Sequence, residues 1–145
     1  MANPIPSYAP LFLGLYGRIA PKQAARFLVD LISRPRGQNP TQPWEATGVA
    51  GKEIELRTGL RARSWGESGP LVFALHGWRG RTTQFRPLAS LLLARGMRTV
   101  ALELPGHGIS VGENASPRLI GELLVEVEKI TGPANAAIGH SFGGA

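Results

Sequence analysis

One serine of this sequence is placed where a serine can attack. Ser141 lies in Gly139-His140-Ser141-Phe142-Gly143, a G-x-S-x-G pattern, and the short apolar run Ala136 to Ile138 leads into it. At a sharp strand-to-helix turn this pattern holds the serine in a strained backbone conformation and lifts its hydroxyl above the sheet. Glycines flank it because side chains at those positions would collide with the adjoining strand and helix. The chemistry open to such a serine is acyl transfer through a covalent acyl intermediate. The pattern alone is weak, since a chain with 19 glycines also uses such stretches as plain turns, and its position at the end of an apolar strand is what strengthens it.

Acyl transfer needs two N–H donors aimed at the oxygen that becomes negative in the tetrahedral intermediate. In an elbow of this kind one donor is the backbone N–H after the nucleophile, here Phe142. The other comes from the loop after an earlier strand, His76-Gly77-Trp78, with Trp78 as the expected donor. Both are main-chain groups, so side-chain identity is expected to matter little for that role. Three histidines are available, and all three read as structural. His76 precedes the nucleophile, whereas the elbow arrangement puts its base after it, so His76 is expected to shape its loop through hydrogen bonds. His107 belongs to a glycine-rich loop, and His140 sits on the elbow, where it can wall an acyl pocket; since reach and orientation decide the general base before pKa does, neither is expected to fill that role.

These loops must be carried by a sheet. Pro70 to Leu75 (PLVFAL) and Arg98 to Leu104 (RTVALEL) are continuous apolar runs, the pattern of strands buried on both faces of a parallel sheet. Between them, Phe85, Leu88, Ala89 and Leu92 recur at helical spacing, with Thr82 or Thr83 as a candidate cap and Gly96 as a stop. A second helix opens at Ser116-Pro117, carries Ile120, Leu123, Leu124 and Val127 on one face, turns Glu122, Glu126 and Lys129 to water and closes at Gly132. Strand, helix, strand, helix, strand is the order of a doubly wound α/β sheet, in which ligands bind at the carboxyl ends of the strands. Ahead of it, Ile54 and Leu56, then Leu60 and Ala62, alternate around Thr58-Gly59 like a β-hairpin.

Residues from about Leu11 to Ser33 read as two helices, with Phe12, Leu15, Tyr16 and Ile19 on one stripe, Ala24, Phe27, Leu28, Leu31 and Ile32 on the next, and Pro21 starting the second. Their apolar faces are expected to pack on the parent domain or a partner; contact with an anionic membrane surface is the lesser alternative. Arg34 to Thr47 has no period and reads as a linker. Residues 1–47 are thus expected to be a helical extension with its linker, and residues 48–145 the main domain.

Taken together, HGW, then ELPGHGIS, then GHSFGGA, separated by helices, resemble the α/β-hydrolase superfamily over roughly residues 50 to 145. The resemblance implies a doubly wound, mostly parallel α/β sheet and assigns Ser141 as nucleophile, His76-Gly77-Trp78 as the oxyanion loop, and Gly106, His107 and Gly108 with Ser110 as the loop after the family's fourth strand. Where that family often has aspartate before Leu-Pro-Gly, this sequence has Glu103, a departure that touches loop structure more than chemistry. It further implies an acid and a histidine after the serine, and only four residues follow Ser141. The chain is therefore expected to be about half of a hydrolase domain, inactive by itself and with its last parallel strand at an open edge.

Composition narrows the partners. The 16 basic and 10 acidic residues leave +6. That excess divides evenly, 5 basic against 2 acidic over residues 1–50 and 11 against 8 over the rest. Without a basic stripe, nucleic-acid binding is not expected. The chain has no cysteine, hence no disulfide, thiolate nucleophile or cysteine metal site, and the reading calls for no cofactor and no metal. Pro4, Pro6, Pro10 and Gly14 break the apolar N-terminus, and Arg18 follows before a spanning length accumulates, so no leader or membrane span is expected and the location is taken as cytoplasmic. The expected substrate is a small acyl compound or carboxylic ester. An acyltransferase, a peroxidase-like or peptidase activity, or a non-catalytic relative acting as a binding module are the alternatives that the same fold allows.

Overall fold

A computed structural model describes residues 9–35, 38–56 and 59–145, without the side chains of Ala9, Leu31 and Ile32. Thr58 of the expected hairpin turn, Pro4 and Pro6 lie outside these residues. The chain divides into two compact units, Met1–Arg34 and Pro35–Ala145. The first contains α1 (Ala9–Ile19) and α2 (Pro21–Ser33), with Pro21 at the first turn of α2, where its missing N–H costs nothing. Ala24 is buried, whereas Leu11, Phe12, Leu15 and Ile19 are exposed. Among the described residues, no helix is long and apolar enough to cross a membrane.

In the second unit five strands form one sheet in the order β1 (Lys52–Glu55), β2 (Arg61–Trp65), β4 (Arg98–Glu103), β3 (Leu71–Leu75), β5 (Ala136–Gly139). The expected hairpin is present, with Ile54 opposite Ala62, and β2 runs antiparallel to β4. The three remaining strands are parallel. The sheet is therefore mixed, parallel where the motif loops leave it and antiparallel on the other side.

Both faces are covered, which is why β3 and β4 read as unbroken apolar runs. On one side α3 (Arg86–Leu93) and the 3-10 turn before it place Phe85 and Ala89 with Trp65, Ala74 and Ala101. On the other, α4 (Pro117–Thr131) sets Ile120, Leu123 and Val127 on Leu71, Phe73, Val100 and Leu102. Ser116 caps α4, its Oγ accepting from the Leu119 N–H at 3.3 Å, and Gly132 ends it at φ +85°. Burying one such leucine contributes roughly 1.5–3 kcal/mol, so these two layers hold the sheet together.

Two expectations are corrected. Neither Thr82 nor Thr83 caps α3; both lie in the 3-10 turn Thr82–Phe85, and their hydroxyls bond carboxylates, Glu103 for Thr82 and Glu45 for Thr83. The stretch up to Thr47 is not a free linker. Residues 38–47 belong to the second unit and include a 3-10 turn, Pro43–Ala46, whose Glu45 is buried. The first compact unit ends at Arg34, and hydrogen bonds of Gln38, Asn39 and Glu45, invisible to periodicity, tie residues 38–47 into the second.

Candidate active site

Register alone brings the three motif loops to one edge. Leu75 at the end of β3 pairs with Leu102 of β4 and with Gly139 of β5, so the chain leaves three neighbouring strands at the same level. The elbow after β5 has the geometry its glycines suggest. Ser141 is at φ +53°, a left-handed conformation that a residue with a Cβ occupies only under strain. A Cβ on Gly139 would sit 2.5 Å from Gly144 Cα, and one on Gly143 2.7 Å from the His76 carbonyl oxygen, so both glycines are fixed by close backbone approach. The turn is closed by the Gly143 N–H donating to the His140 carbonyl at 3.0 Å.

The loop after β3 lies directly against this elbow. A Cβ on Gly77 would be 3.1 Å from Ser141 Cβ and 3.0 Å from His140 Nδ1. The Trp78 ring meets the Phe142 ring edge-on at 5.2 Å and the His107 ring at 5.2 Å, and His107 in turn lies 5.1 Å from His76. Side-chain identity is therefore not indifferent here, because these aromatic contacts join the loops that carry the two expected donors.

His76 is fully buried. Its Nδ1–H donates to the Gly77 carbonyl at 2.8 Å, and its Nε2 accepts from the Leu104 N–H at 3.1 Å. These partners fix the neutral tautomer. Burial drives the pKa from 6.5 down to about 4, opposed by the Gly77 hydrogen bond and assisted by His107, Arg81 and His140. The 3.5 Å approach of His76 Nε2 to Glu103 Oε1 is accordingly not an ion pair, since that nitrogen is already an acceptor. His107 is also buried, its Nδ1–H on the Pro105 carbonyl at 3.0 Å, and burial lowers its pKa. His140 is exposed and continues the sheet, its N–H donating to the Leu75 carbonyl at 2.9 Å.

Glu103, at the end of β4, is the hub of the second loop. Its carboxylate accepts from the Thr82 N–H at 3.2 Å and from the Thr82 hydroxyl at 2.7 Å. Burial raises its pKa, and the Thr82 bonds, Arg63 and Arg81 partly counter this. Gly108, at φ +54°, must be glycine because a Cβ there would meet the Glu103 carboxyl, 2.7 Å from its Oε2. Gly106, at φ +72°, has Pro35 and the Gly112 carbonyl where a Cβ would go. Ser110 ties the loop to the sheet, donating to the Glu103 carbonyl at 2.8 Å and accepting from the Arg61 N–H at 2.9 Å.

Sequence reasoning misses the roles of Asn39, Glu45 and Arg81, and reads Thr82 only as a candidate helix cap. Gln42-x-x-Glu45 carries a usable signal, half of a capping box, in which Glu45 Oε1 accepts from the Gln42 N–H at 2.9 Å. Among the described residues, no group of three or more His, Asp or Glu side chains is placed to hold a metal.

Comparison with known proteins agrees with this arrangement. The chain is 30% identical over 104 residues to a serine hydrolase-like protein of Dictyostelium discoideum, a match covering 64% of this chain and 29% of that protein. It is 36% identical over 91 residues to a serine hydrolase-like protein of Danio rerio, covering 59% of this chain and 28% of that one. The matched stretch thus spans less than a third of either curated relative. Among solved structures, the thioesterase domain from the curacin biosynthetic pathway superposes with a TM-score of 0.57 at 27% identity, over 67% of this chain and 37% of that one. The model of the alpha/beta hydrolase family matches residues 71–145, which is 75 of 145 residues and contains all three motif loops, so the chain belongs to the alpha/beta hydrolase family.

Proposed function

We propose that the protein is a serine hydrolase acting on a small carboxylic ester or related acyl bond through an acyl-enzyme at Ser141. The observation that carries this reading is the strained, glycine-flanked Ser141 at the end of a parallel strand, exposed, with the Gly77-Trp78 loop against it. In this reading Ser141 Oγ attacks the acyl carbon and loses its proton to a base. The Trp78 and Phe142 N–H groups receive the oxyanion, the leaving group departs with the proton, and water then attacks the acyl-enzyme to release the acid. The base is none of the three histidines of this chain. His76 and His107 are buried and committed to backbone carbonyls, and His140 immediately precedes Ser141 on the elbow, whereas the elbow arrangement takes its base from after the serine. The reading therefore assigns the base and its acid partner to residues outside these 145. Likeness to two serine hydrolase-like proteins and to a thioesterase domain supports acyl chemistry over other uses of the fold.

The test is labelling of the complete gene product with a fluorophosphonate probe. Wild type is expected to label and Ser141→Ala is not. A folded wild type that resists the probe would overturn the reading in favour of a binding module.

A further inference from the structure

Resting on that reading, we propose that residues 38–45 are a positioning strap for the oxyanion loop, and that the Asn39 N–H heads a hydrogen-bond chain ending at the Trp78 N–H. The chain can be followed plane by plane. The Asn39 N–H donates to the Arg79 carbonyl at 3.0 Å. The same peptide plane carries the Gly80 N–H, which donates to the Gly77 carbonyl at 2.9 Å. That carbonyl shares its plane with the Trp78 N–H, which points the opposite way because the peptide is planar and trans. Among the described residues the Trp78 N–H has no backbone acceptor, so it is the open end of the chain. Bonds in such a series polarise one another, which makes the last N–H a better donor as well as a fixed one.

Strain explains why a strap is needed. Arg79 is at φ +58°, a left-handed conformation that a side-chain-bearing residue keeps only where its surroundings over-determine it. The strap supplies that constraint. Asn39 Nδ2 also donates to the Trp78 carbonyl at 3.4 Å, so two successive carbonyls of the turn are held by one residue. The Arg81 guanidinium returns the contact, bonding the Asn39 carbonyl and the Thr41 hydroxyl. Farther along, Glu45, 2% exposed, accepts from the Thr83 hydroxyl at 2.5 Å and lies 3.9 Å from Arg81 Nε, which anchors the strap to the turn before α3. Gln38 Nε2 reaches the Gly108 carbonyl at 2.8 Å, so the strap spans both loops beside the serine.

Two substitutions at one position separate the chain from general packing. Asn39→Pro deletes the N–H that starts the series, whereas Asn39→Ala keeps it and loses only the longer side-chain bond. In the complete gene product, Asn39→Pro is expected to lower kcat about tenfold with KM unchanged, less than the roughly 100-fold or more of deleting a donor outright. Asn39→Ala should lower kcat by clearly less than Asn39→Pro, since it keeps the N–H and loses only the 3.4 Å bond to the Trp78 carbonyl. Hydrogen exchange read over residues 77–80 should quicken in Asn39→Pro while β3 and β4 stay protected. If Asn39→Pro does not fold, Arg81→Met, which removes the guanidinium contacts to Asn39 and Thr41, is scored by the same two readouts. Unchanged kcat together with unchanged exchange at 77–80 would overturn the strap. Should the wild type neither turn over an ester nor label at Ser141, the hydrolase reading fails, and exchange at 77–80 still decides the strap.

Discussion

Two loops meet at the candidate site, and they are held by opposite means. The loop after β3 is fixed by polar contacts: the His76 ring within it, the Leu104 N–H behind it, and Asn39, Arg81 and Glu45 around it, all through hydrogen bonds or charge. The elbow after β5 is fixed by missing side chains, with backbone packed where any Cβ on Gly139 or Gly143 would go. The strands beneath differ in the same sense. β3 is buried along its whole length, while β5 is a sheet edge and largely exposed. A loop held by polar side chains can be loosened by degrees, through pH or a single lost bond; one held by close backbone approach either forms or does not.

The largest effect should therefore come from the elbow. Gly143→Ala places a methyl group against the Leu75 and His76 carbonyls, backbone that cannot swing aside. We expect a cost of about 3 kcal/mol in urea unfolding, the upper end for overpacking, and loss of probe labelling at Ser141. A variant that retained both stability and labelling would show that the elbow yields after all. Next comes the pH response of the other loop. The folded pKa of His76 is about 4 against 6.5 for the free side chain, so between those values the unfolded chain binds the extra proton. Stability then rises with pH through this window and is lost on acidification, by about 2 kcal/mol between pH 7 and pH 5. Glu103 acts with the opposite sign, since its raised pKa makes its contribution fall as pH climbs above the ordinary 4.5. His76→Asn isolates the histidine: unfolding measured at the two pH values should lose most of the wild-type difference, and an unaltered slope would assign it elsewhere.

The same contrast explains what could be read from the sequence. The runs PLVFAL and RTVALEL announce β3 and β4 because both faces of those strands are buried, and the spacing of Ile120, Leu123 and Val127 announces the buried face of α4. The elbow was legible too, since a backbone that tolerates no Cβ writes glycine into the sequence at 139 and 143. Residues 38–47 were not. Glu45 is buried among polar residues with no apolar period to mark it, and its partner Thr83 is 38 positions away. Thr82 resembled a helix cap because it lies where a cap belongs; that its hydroxyl instead serves Glu103 depends on β4 passing beneath it, which no local pattern records.

Thr82→Val tests that hidden bond at nearly constant volume. It leaves the buried Glu103 carboxylate with only the Thr82 N–H of its former pair, which should cost roughly 1–2 kcal/mol at neutral pH. Because the lost bond had been lowering the Glu103 pKa, the deficit of the variant relative to wild type should shrink as pH falls toward the range in which the carboxyl protonates. A uniform loss at every pH would mean that Thr82 acts through packing alone.

The smallest effect is the one that joins the two loops. Trp78 and Phe142 meet edge-on at 5.2 Å, the only aromatic pair among the described residues that links the β3 loop to the elbow. Edge-to-face pairs contribute about 0.5–1.5 kcal/mol beyond their burial. A double-mutant cycle with Trp78→Leu and Phe142→Leu should then return a coupling of about 1 kcal/mol in unfolding free energy. Additivity within a few tenths would mean that the two loops, although adjacent, are positioned independently. In that case the relative placement of the two proposed donors would be set only by the strands beneath them, through the pairing of Leu75 with Gly139.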